Sequence, residues 1–237
     1  MKKFGTEKYI SNLSIDCVIF GYEANEIKVL LSKFKFGQGT WTLPGGYVMW
    51  EESIEQAATR TLKERTGLQN IYLEQFRVFG AADRIIGSEI RNTLKEELSE
   101  KYNPADAEWI TGRFVCVGFY ALVDINKVNP EPGELDQGLE WHSLKDIPKM
   151  IHDHNDILNY ALEALRQNFD QKLIGFNLLP ETFTMKEIQE LYEAVFNKPF
   201  ATNNFPKKIL DLNVLERLEK KFTGARNKAP YLYRFIK

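Results

Sequence analysis

The chain has 237 residues, of which 43% are hydrophobic, 27% charged and 13% aromatic, and its formal net charge is −2. This length accommodates one mid-sized domain and a small second one. No stretch approaches the roughly 20 apolar residues that a membrane-spanning helix needs, and the first ten residues lack the apolar core of a signal peptide. We therefore expect a cytoplasmic protein without a membrane association.

The cysteines and the charge distribution indicate the redox environment and a candidate partner of the protein. Cys17 and Cys116 each lie in an apolar run, so we expect reduced core residues and not a disulfide. From Leu173 onward, 11 Lys and Arg face 7 Asp and Glu, whereas the remainder of the chain is acidic. Clustered basic residues neutralise phosphates, which points to nucleic acid, although a solvated basic face fits the charge alone equally well.

The first part of the chain reads as strands, a loop and a helix. Apolar, β-rich runs at 12–21 and 27–34 predict two strands joined by a turn. The Gly- and Pro-rich segment 39–53 predicts a loop. It leads into an amphipathic helix that begins at Ile54 and ends before Gly67, a residue suited to the left-handed conformation that stops helices.

The next part adds strands at 71–80 and 113–125, separated by a long polar insertion with a helix over 88–102. A helical region over 144–169 closes this unit. Strands interleaved with helices predict an α/β sandwich, with a mixed sheet and flanking helices, up to about residue 170.

The C-terminal part has a different pattern. Thr184 and Glu187 have the spacing of a capping box, which predicts a helix over 185–196. A second short helix over 207–215 and strands at 215–222 and 231–236 follow. Helix, turn, helix and hairpin is the order of a winged helix-turn-helix domain. We therefore predict two domains, 1–170 and 171–237.

One segment carries a specific motif. The stretch from Gly46 to Leu68, GYVMWEESIEQAATRTLKERTGL, resembles a Nudix box. The positions that match in register are Gly46, Glu52, Arg60, Leu62, Glu64, Gly67 and Leu68. In active hydrolases of this family, glutamates of the box hold Mg²⁺ against a diphosphate, because this hard cation prefers oxygen ligands. The resemblance implies a Nudix-like fold for the first domain.

Two of the box glutamates are replaced, by Thr61 and Arg65. An arginine near the metal position turns an attraction into a repulsion of similar size, so we predict no metal site, no cofactor and no catalytic residues. Glu52 and Arg60 are expected to brace the loop against the helix. The alternatives are a metal relocated to Glu51, Glu52 and Glu64 with an acid from 89–100, and an active Mg²⁺-dependent hydrolase of ADP-ribose or a related nucleoside diphosphate.

Segments 176–210 and 229–235 resemble the winged helix of NrtR-type regulators. The resemblance implies a homodimer that binds a palindromic operator in double-stranded DNA and responds to a small-molecule effector. With its eroded box, the chain is most similar to sugar-responsive members of the arabinose-regulator type. We therefore expect a repressor in sugar metabolism, with ADP-ribose as the alternative effector. A winged helix that binds another protein is a further alternative.

Candidate residues follow for both sites. Asparagines that precede the second helix suit base edges, whereas lysines and the wing arginine suit phosphates, although each of these lysines could equally be an ordinary surface residue. The candidate DNA contacts are Lys186, Asn203, Asn204, Lys207, Lys208, Arg226 and Lys228. A sugar needs carboxylates for its hydroxyls and aromatic rings for its C–H surface, whereas arginines would suit a diphosphate. The candidate effector contacts are Asp16, Lys33, Lys35, Trp41, Tyr47, Trp50, Glu52, Arg77 and Arg84.

Overall fold

A mixed sheet organises the first part of the chain. The computed structural model describes residues 2–37, 39–84, 88–172, 178–221 and 229–236. Within these residues the sheet has the order β3-β2-β1-β6-β5, with β4 paired to β1 and β7 paired to β2. β1 and β6 run parallel, and the other pairs are antiparallel. The strands are β1 (Tyr9–Glu23), β2 (Glu26–Phe34), β3 (Trp41–Thr42), β4 (Gly45–Met49), β5 (Leu73–Phe79), β6 (Val115–Asp124) and β7 (Asp136–Ser143).

Helices flank this sheet. They are α1 (Ile54–Thr66), α2 (Ser88–Lys101), α3 (Pro104–Ile110) and α4 (His154–Lys172). Ser53 and Gln56 form a reciprocal capping box at the start of α1, and Gly67 ends the helix with a φ of 73°. These residues satisfy backbone groups that the helix termini would otherwise leave without partners.

The two faces of β1 pack on different helices. Cys17 and Ile19 lie in a cluster with Ala58 of α1, whereas Val18 lies in a cluster with Ile157 of α4. Successive side chains of a strand point to opposite faces, so a sheet covered on both sides needs a continuous apolar run. The predicted α/β sandwich is thereby confirmed. Cys17 and Cys116 are both buried and free, as expected.

A winged helix follows. Its elements are β8 (Phe183–Thr184), α5 (Met185–Phe196), α6 (Phe205–Asp211), β9 (Leu215–Lys220) and β10 (Tyr231–Phe235). β10 lies between β8 and β9 in an antiparallel sheet. Thr184 and Glu187 form the predicted capping box. Among the described helices, none is long and apolar enough to cross a membrane.

The two parts share apolar packing through α4. The ring of Phe169 in α4 lies 5.0 Å from that of Tyr192 in α5 in an edge-on arrangement. Arg166 of α4 donates through Nε to the carbonyl oxygen of Val195, at 2.9 Å. Because one hydrophobic cluster contains residues from the sheet, α4 and the winged helix, α4 lies between them as a common support.

Several elements differ from the sequence-based expectations. The expected loop over 39–53 contains β3 and β4, and β7 and α3 were not predicted. A side chain on Gly45 would place its Cβ 2.7 Å from the Ile15 carbonyl oxygen, so this glycine allows β4 to approach β1 closely. The helix expected over 144–169 begins only at α4, and the helix expected over 207–215 corresponds to α6.

Candidate functional site

The box loop is held against α1 by an ion pair. Arg60 donates to both carboxylate oxygens of Glu52, at 3.0 Å through Nε and 2.6 Å through Nη2. Arg60 also donates to the Tyr47 carbonyl oxygen at 2.9 Å, and the Met49 amide donates to Glu52 at 2.8 Å. The hydrogen bonds from Arg60 lower the pKa of Glu52. The predicted bracing role of this pair is confirmed.

The two replaced box positions lie one helical turn apart on α1. Thr61 is fully buried, and its Oγ1 lies 2.8 Å from where a Cβ on Gly46 would be. Arg65 donates through Nη2 to the Gly45 carbonyl oxygen at 3.2 Å, and the same atom lies 3.4 Å from Oδ2 of Asp136. Both replacements are therefore packed into the seam between α1 and β4.

These residues do not fit a divalent cation. Glu52 is occupied by Arg60, and the half-exposed Glu64 lies 3.4 Å from the same guanidinium. Among the residues that the structure describes, no group of three or more His, Cys, Asp and Glu side chains is placed to hold a metal ion. The relocated set, with Glu51, is therefore not assembled in this part of the chain.

A cavity of about 400 Å³ opens beside the box. Aromatic rings form one wall, in which the Tyr47 ring lies 5.4 Å from Tyr9 and 5.3 Å from Phe114. Burial raises the pKa of the Tyr47 hydroxyl, so this side chain is neutral at physiological pH. Such a wall suits the apolar face of a sugar or a base.

A buried polar network forms the floor of the cavity. Arg84 donates to both oxygens of Asp153, at 2.9 and 3.0 Å, and lies 3.5 Å from Asp16. Oδ2 of Asp16 also lies 3.6 Å from Nε2 of His154 and accepts from Cys116 at 2.9 Å. Buried charges of this kind persist only when they are paired, which the network achieves.

His154 is held neutral within this network. Burial lowers its pKa, and its Nδ1 accepts a hydrogen bond from the Leu43 amide at 3.0 Å. A ring nitrogen that accepts a hydrogen bond carries no proton, so the geometry and the direction of the pKa agree. Because His154 is the first residue of α4, this network fixes the start of that helix at the cavity.

The candidate effector residues separate into two groups. Asp16, Tyr47 and Arg84 line the cavity. The other candidates lie outside its lining. Lys33 lies beside the ring of Trp41, which is also a candidate, and Lys35 donates to the Glu134 carbonyl oxygen. Trp50 is exposed, Glu52 is in its ion pair with Arg60, and Arg77 lies over the Tyr160 ring. For all of them, contact with an effector stays a prediction.

Sequence reasoning did not select several lining residues. Asp136, His152 and Phe114 reach the cavity from separate segments, and no motif marks them. Arg65 was predicted only as the replacement of a metal-binding glutamate and not as an effector contact. The replaced box position was a signal for Arg65, whereas Asp136, His152 and Phe114 are brought to the cavity only by tertiary packing.

The candidate DNA-contact residues differ in their exposure and in their ion pairs. Asn203, Asn204 and Lys207 are exposed at and just before the start of α6. Lys186 is exposed 3.5 Å from Glu190. Lys208 is half-buried, with Nζ 3.0 Å from Asp170. Arg226 and Lys228 lie outside the described residues. For each of them, DNA contact stays a prediction.

A sandwich that carries a Nudix-type loop and helix, followed by a winged helix, defines a two-domain protein of the DNA-binding Nudix class. Residues 11–162 match the NUDIX domain family, and residues 175–235 match the NrtR DNA-binding winged helix domain. The chain belongs to the NrtR-type family of Nudix and winged-helix proteins.

Relatives of known description agree with this assignment. The chain is 26% identical over 229 residues to the ADPR responsive transcriptional repressor NtrR of Acinetobacter baylyi, with 94% of this chain and 81% of the relative covered. It is 26% identical over 160 residues to an ADP-ribose pyrophosphatase of Methanocaldococcus jannaschii, with 67% and 79% covered.

Solved structures give the same result. Shewanella oneidensis NrtR superposes with a TM-score of 0.68 at 25% identity, with 95% of this chain and 94% of that chain covered. The same protein in complex with a 27mer DNA superposes with a TM-score of 0.67, with the same identity and coverage.

Proposed function

We propose that this chain is a DNA-binding transcriptional repressor, whose Nudix domain binds a small-molecule effector in the cavity and does not hydrolyse it. The observation that carries this proposal is the course of α4. The helix begins at His154 in the cavity floor, and near its end Asp170 pairs with Lys208 of α6. A regulator needs its effector site and its DNA site to be coupled, and α4 contacts both.

The coupling can be followed along the helix. α4 has 19 residues, which corresponds to a length of about 28 Å. At its start, Asp153 and His154 depend on Arg84 and Asp16 for their partners. At its other end, Arg166 and Asp170 hold α5 and α6. A ligand that displaces the floor network would therefore shift the support of both winged-helix helices.

Two effector classes are supported by separate observations. ADP-ribose is supported by the names of the A. baylyi and M. jannaschii relatives. A sugar is supported by the aromatic wall of the cavity. It is also supported by the replacement of two box glutamates by Thr61 and Arg65, since the sugar-responsive members that this chain resembles also have an eroded box. The proposed loss of hydrolysis is supported by the same two replacements, because the described residues assemble no ligand set for a metal that would activate water.

The DNA-binding side of the proposal uses the start of α6 and the wing. Asn203 and Asn204 would face base edges, and the basic residues of α6, together with Arg226 and Lys228, would contact phosphates. A homodimer with a palindromic operator completes this arrangement. Sedimentation equilibrium tests the dimer: a monomer at micromolar concentration would contradict it.

A gel-shift assay tests the function. The probe is a duplex from the region upstream of the chain's own gene, and the competitors are shuffled duplexes. We expect a specific complex whose affinity falls steeply with salt and which ADP-ribose or a pentose releases. If neither the duplex alone nor the duplex with these ligands gives a specific complex, the proposal is wrong.

An active hydrolase is the second candidate, and its support is the retained Glu64 together with the pyrophosphatase relative. This candidate predicts Mg²⁺-dependent release of AMP from ADP-ribose, and loss of that release in Glu64→Gln. If the unmutated chain shows no turnover at millimolar Mg²⁺, the hydrolase candidate is wrong, and the proposed repressor without hydrolysis is the function that stays.

A further inference from the structure

The cavity is lined by equal numbers of acidic and basic side chains, but these side chains are not all equally well paired. Its acidic and basic side chains are Asp16, Glu64, Glu134, Asp136, Lys8, Arg60, Arg65 and Arg84. Since four carboxylates face four cations, the groups that lack strong partners decide what the cavity attracts.

Two of the arginines have their donors engaged. Arg60 bonds Glu52 and the Tyr47 carbonyl and lies against Glu64. Arg84 bonds both oxygens of Asp153 and the Phe114 carbonyl, and it lies 3.5 Å from Asp16. Each of these guanidiniums is thus already paired with a carboxylate at hydrogen-bond distance.

Arg65 differs from them. Among the described residues, its side chain makes one hydrogen bond, to the Gly45 carbonyl at 3.2 Å, and its contact with Asp136 is 3.4 Å, longer than a strong charged hydrogen bond. Its Nε is buried and has no partner among the described residues. The side chain is 15% exposed, so this guanidinium is desolvated but only partly compensated. A buried polar group left in this state calls for a ligand or a bound solvent molecule.

The surroundings of Arg65 are adapted to it. A Cβ on Gly133 would lie 2.1 Å from Nη1 of Arg65, so the guanidinium fills the space that this glycine leaves beside its backbone. The amide of Glu131 donates to the Arg65 carbonyl oxygen at 3.2 Å, which fastens the same loop to the end of α1. The loop before β7 thus cradles this side chain beside the cavity.

We propose that the Arg65 guanidinium takes the place of a divalent cation in this cavity, and that it binds a phosphate group of the effector directly. Arg65 occupies a box position where metal-binding family members carry a glutamate, and its planar fork matches the oxygens of a phosphate. This inference rests on the proposed effector-binding role of the cavity. It specifies a phosphorylated effector whose binding needs no metal.

Calorimetric titration of the full chain in EDTA tests this inference. The ligands are ADP-ribose, inorganic pyrophosphate, ribose 5-phosphate and, as the uncharged counterpart, ribose. The variants are Arg65→Gln, Arg65→Lys, which keeps the charge and loses the fork, and Lys63→Gln, which removes one charge from the exposed face of the same helix.

We expect a phosphorylated ligand to bind in EDTA and ribose to bind far more weakly. Arg65→Gln should weaken the phosphorylated ligand by about 10- to 100-fold, Arg65→Lys by less, and Lys63→Gln not measurably. Thermal melting shows whether Arg65→Gln is folded. If it is not folded, the affinity of Arg65→Lys tests the inference, since an unchanged affinity in this variant would contradict the role of the planar guanidinium.

Three results would overturn the inference. They are binding that requires Mg²⁺, ribose binding as tight as that of its phosphate, and an unchanged affinity in Arg65→Gln. The gel-shift assay is independent of these titrations, because it detects the operator complex without any ligand. If the gel shift shows a specific complex but ribose binds as tightly as its phosphate, the proposed repressor function still holds and the proposed phosphate site is wrong.

Discussion

Nζ of Lys208 in α6 lies 3.0 Å from Oδ2 of Asp170 in α4, and it also lies 5.0 Å from the centre of the Tyr192 ring. Burial and a hydrogen bond to Asp170 raise the pKa of the Tyr192 hydroxyl. These contacts join the helix that begins in the cavity to the second helix of the winged helix. In the proposed repressor, they are therefore the point at which effector binding would act on the second helix of the winged helix.

Asp170→Asn should weaken this coupling. The pair is partly exposed, so we expect a loss of only about 0.5–1 kcal/mol in the free energy of unfolding. The ratio of operator affinities without and with effector should fall by about 3-fold or more, because coupling energies of this kind are themselves small. Fluorescence anisotropy of a labelled operator measures the ratio. Glu163→Gln, on the exposed side of α4, is the control; an equal effect in both variants would contradict the coupling role of Asp170.

Glu52→Gln should destabilise the first domain in a pH-dependent manner. The pKa of Glu52 is lowered from 4.5 by its hydrogen bonds from Arg60, so the folded state favours the charged carboxylate. This stabilisation is present above pH 4.5 and is lost as the pH falls through the lowered folded-state value. We expect a difference of about 1–2 kcal/mol at pH 7, measured by urea unfolding, that shrinks below pH 4.5. A constant difference across this range would contradict the ion-pair explanation.

The Glu52–Arg60 pair shows what sequence reasoning can reach. A spaced motif and a capping box are local patterns, so the box bracing and the start of α5 at Thr184 could be predicted. β4 could not, because its Gly-rich sequence has no strand alternation and its pairing is set by close contact with β1. The same limit applies to Asp136, which is 71 residues from Arg65 in sequence and meets it only through the tertiary fold.

Thr61→Val should leave the fold intact and stabilise it by up to about 1 kcal/mol. The Thr61 hydroxyl is buried without a hydrogen-bond partner among the described residues, and valine has nearly the same shape. Removing an unsatisfied buried hydroxyl removes its desolvation cost. Chemical denaturation measures the change. A loss above about 1 kcal/mol would reveal a bound water or ligand at this hydroxyl. Thr66→Val is a matched comparison and should destabilise, because the Thr66 hydroxyl donates to the Leu62 carbonyl at 2.7 Å.

Lys207 and Lys208 are neighbours in α6, yet their side chains should contribute differently to DNA binding. Lys207 is exposed, whereas the charge of Lys208 is already neutralised by Asp170. Each phosphate contact adds about 0.9 to the slope of log affinity against log salt, so Lys207→Gln should reduce that slope by about 1 and weaken all duplexes alike. Lys208→Gln should leave the slope unchanged and alter the effector response instead. Titrations of the operator duplex from about 50 to 200 mM salt separate the two cases. If Lys208→Gln reduces the slope as much as Lys207→Gln does, Lys208 leaves Asp170 when DNA binds, and the contact between α4 and α6 is exchanged for a phosphate.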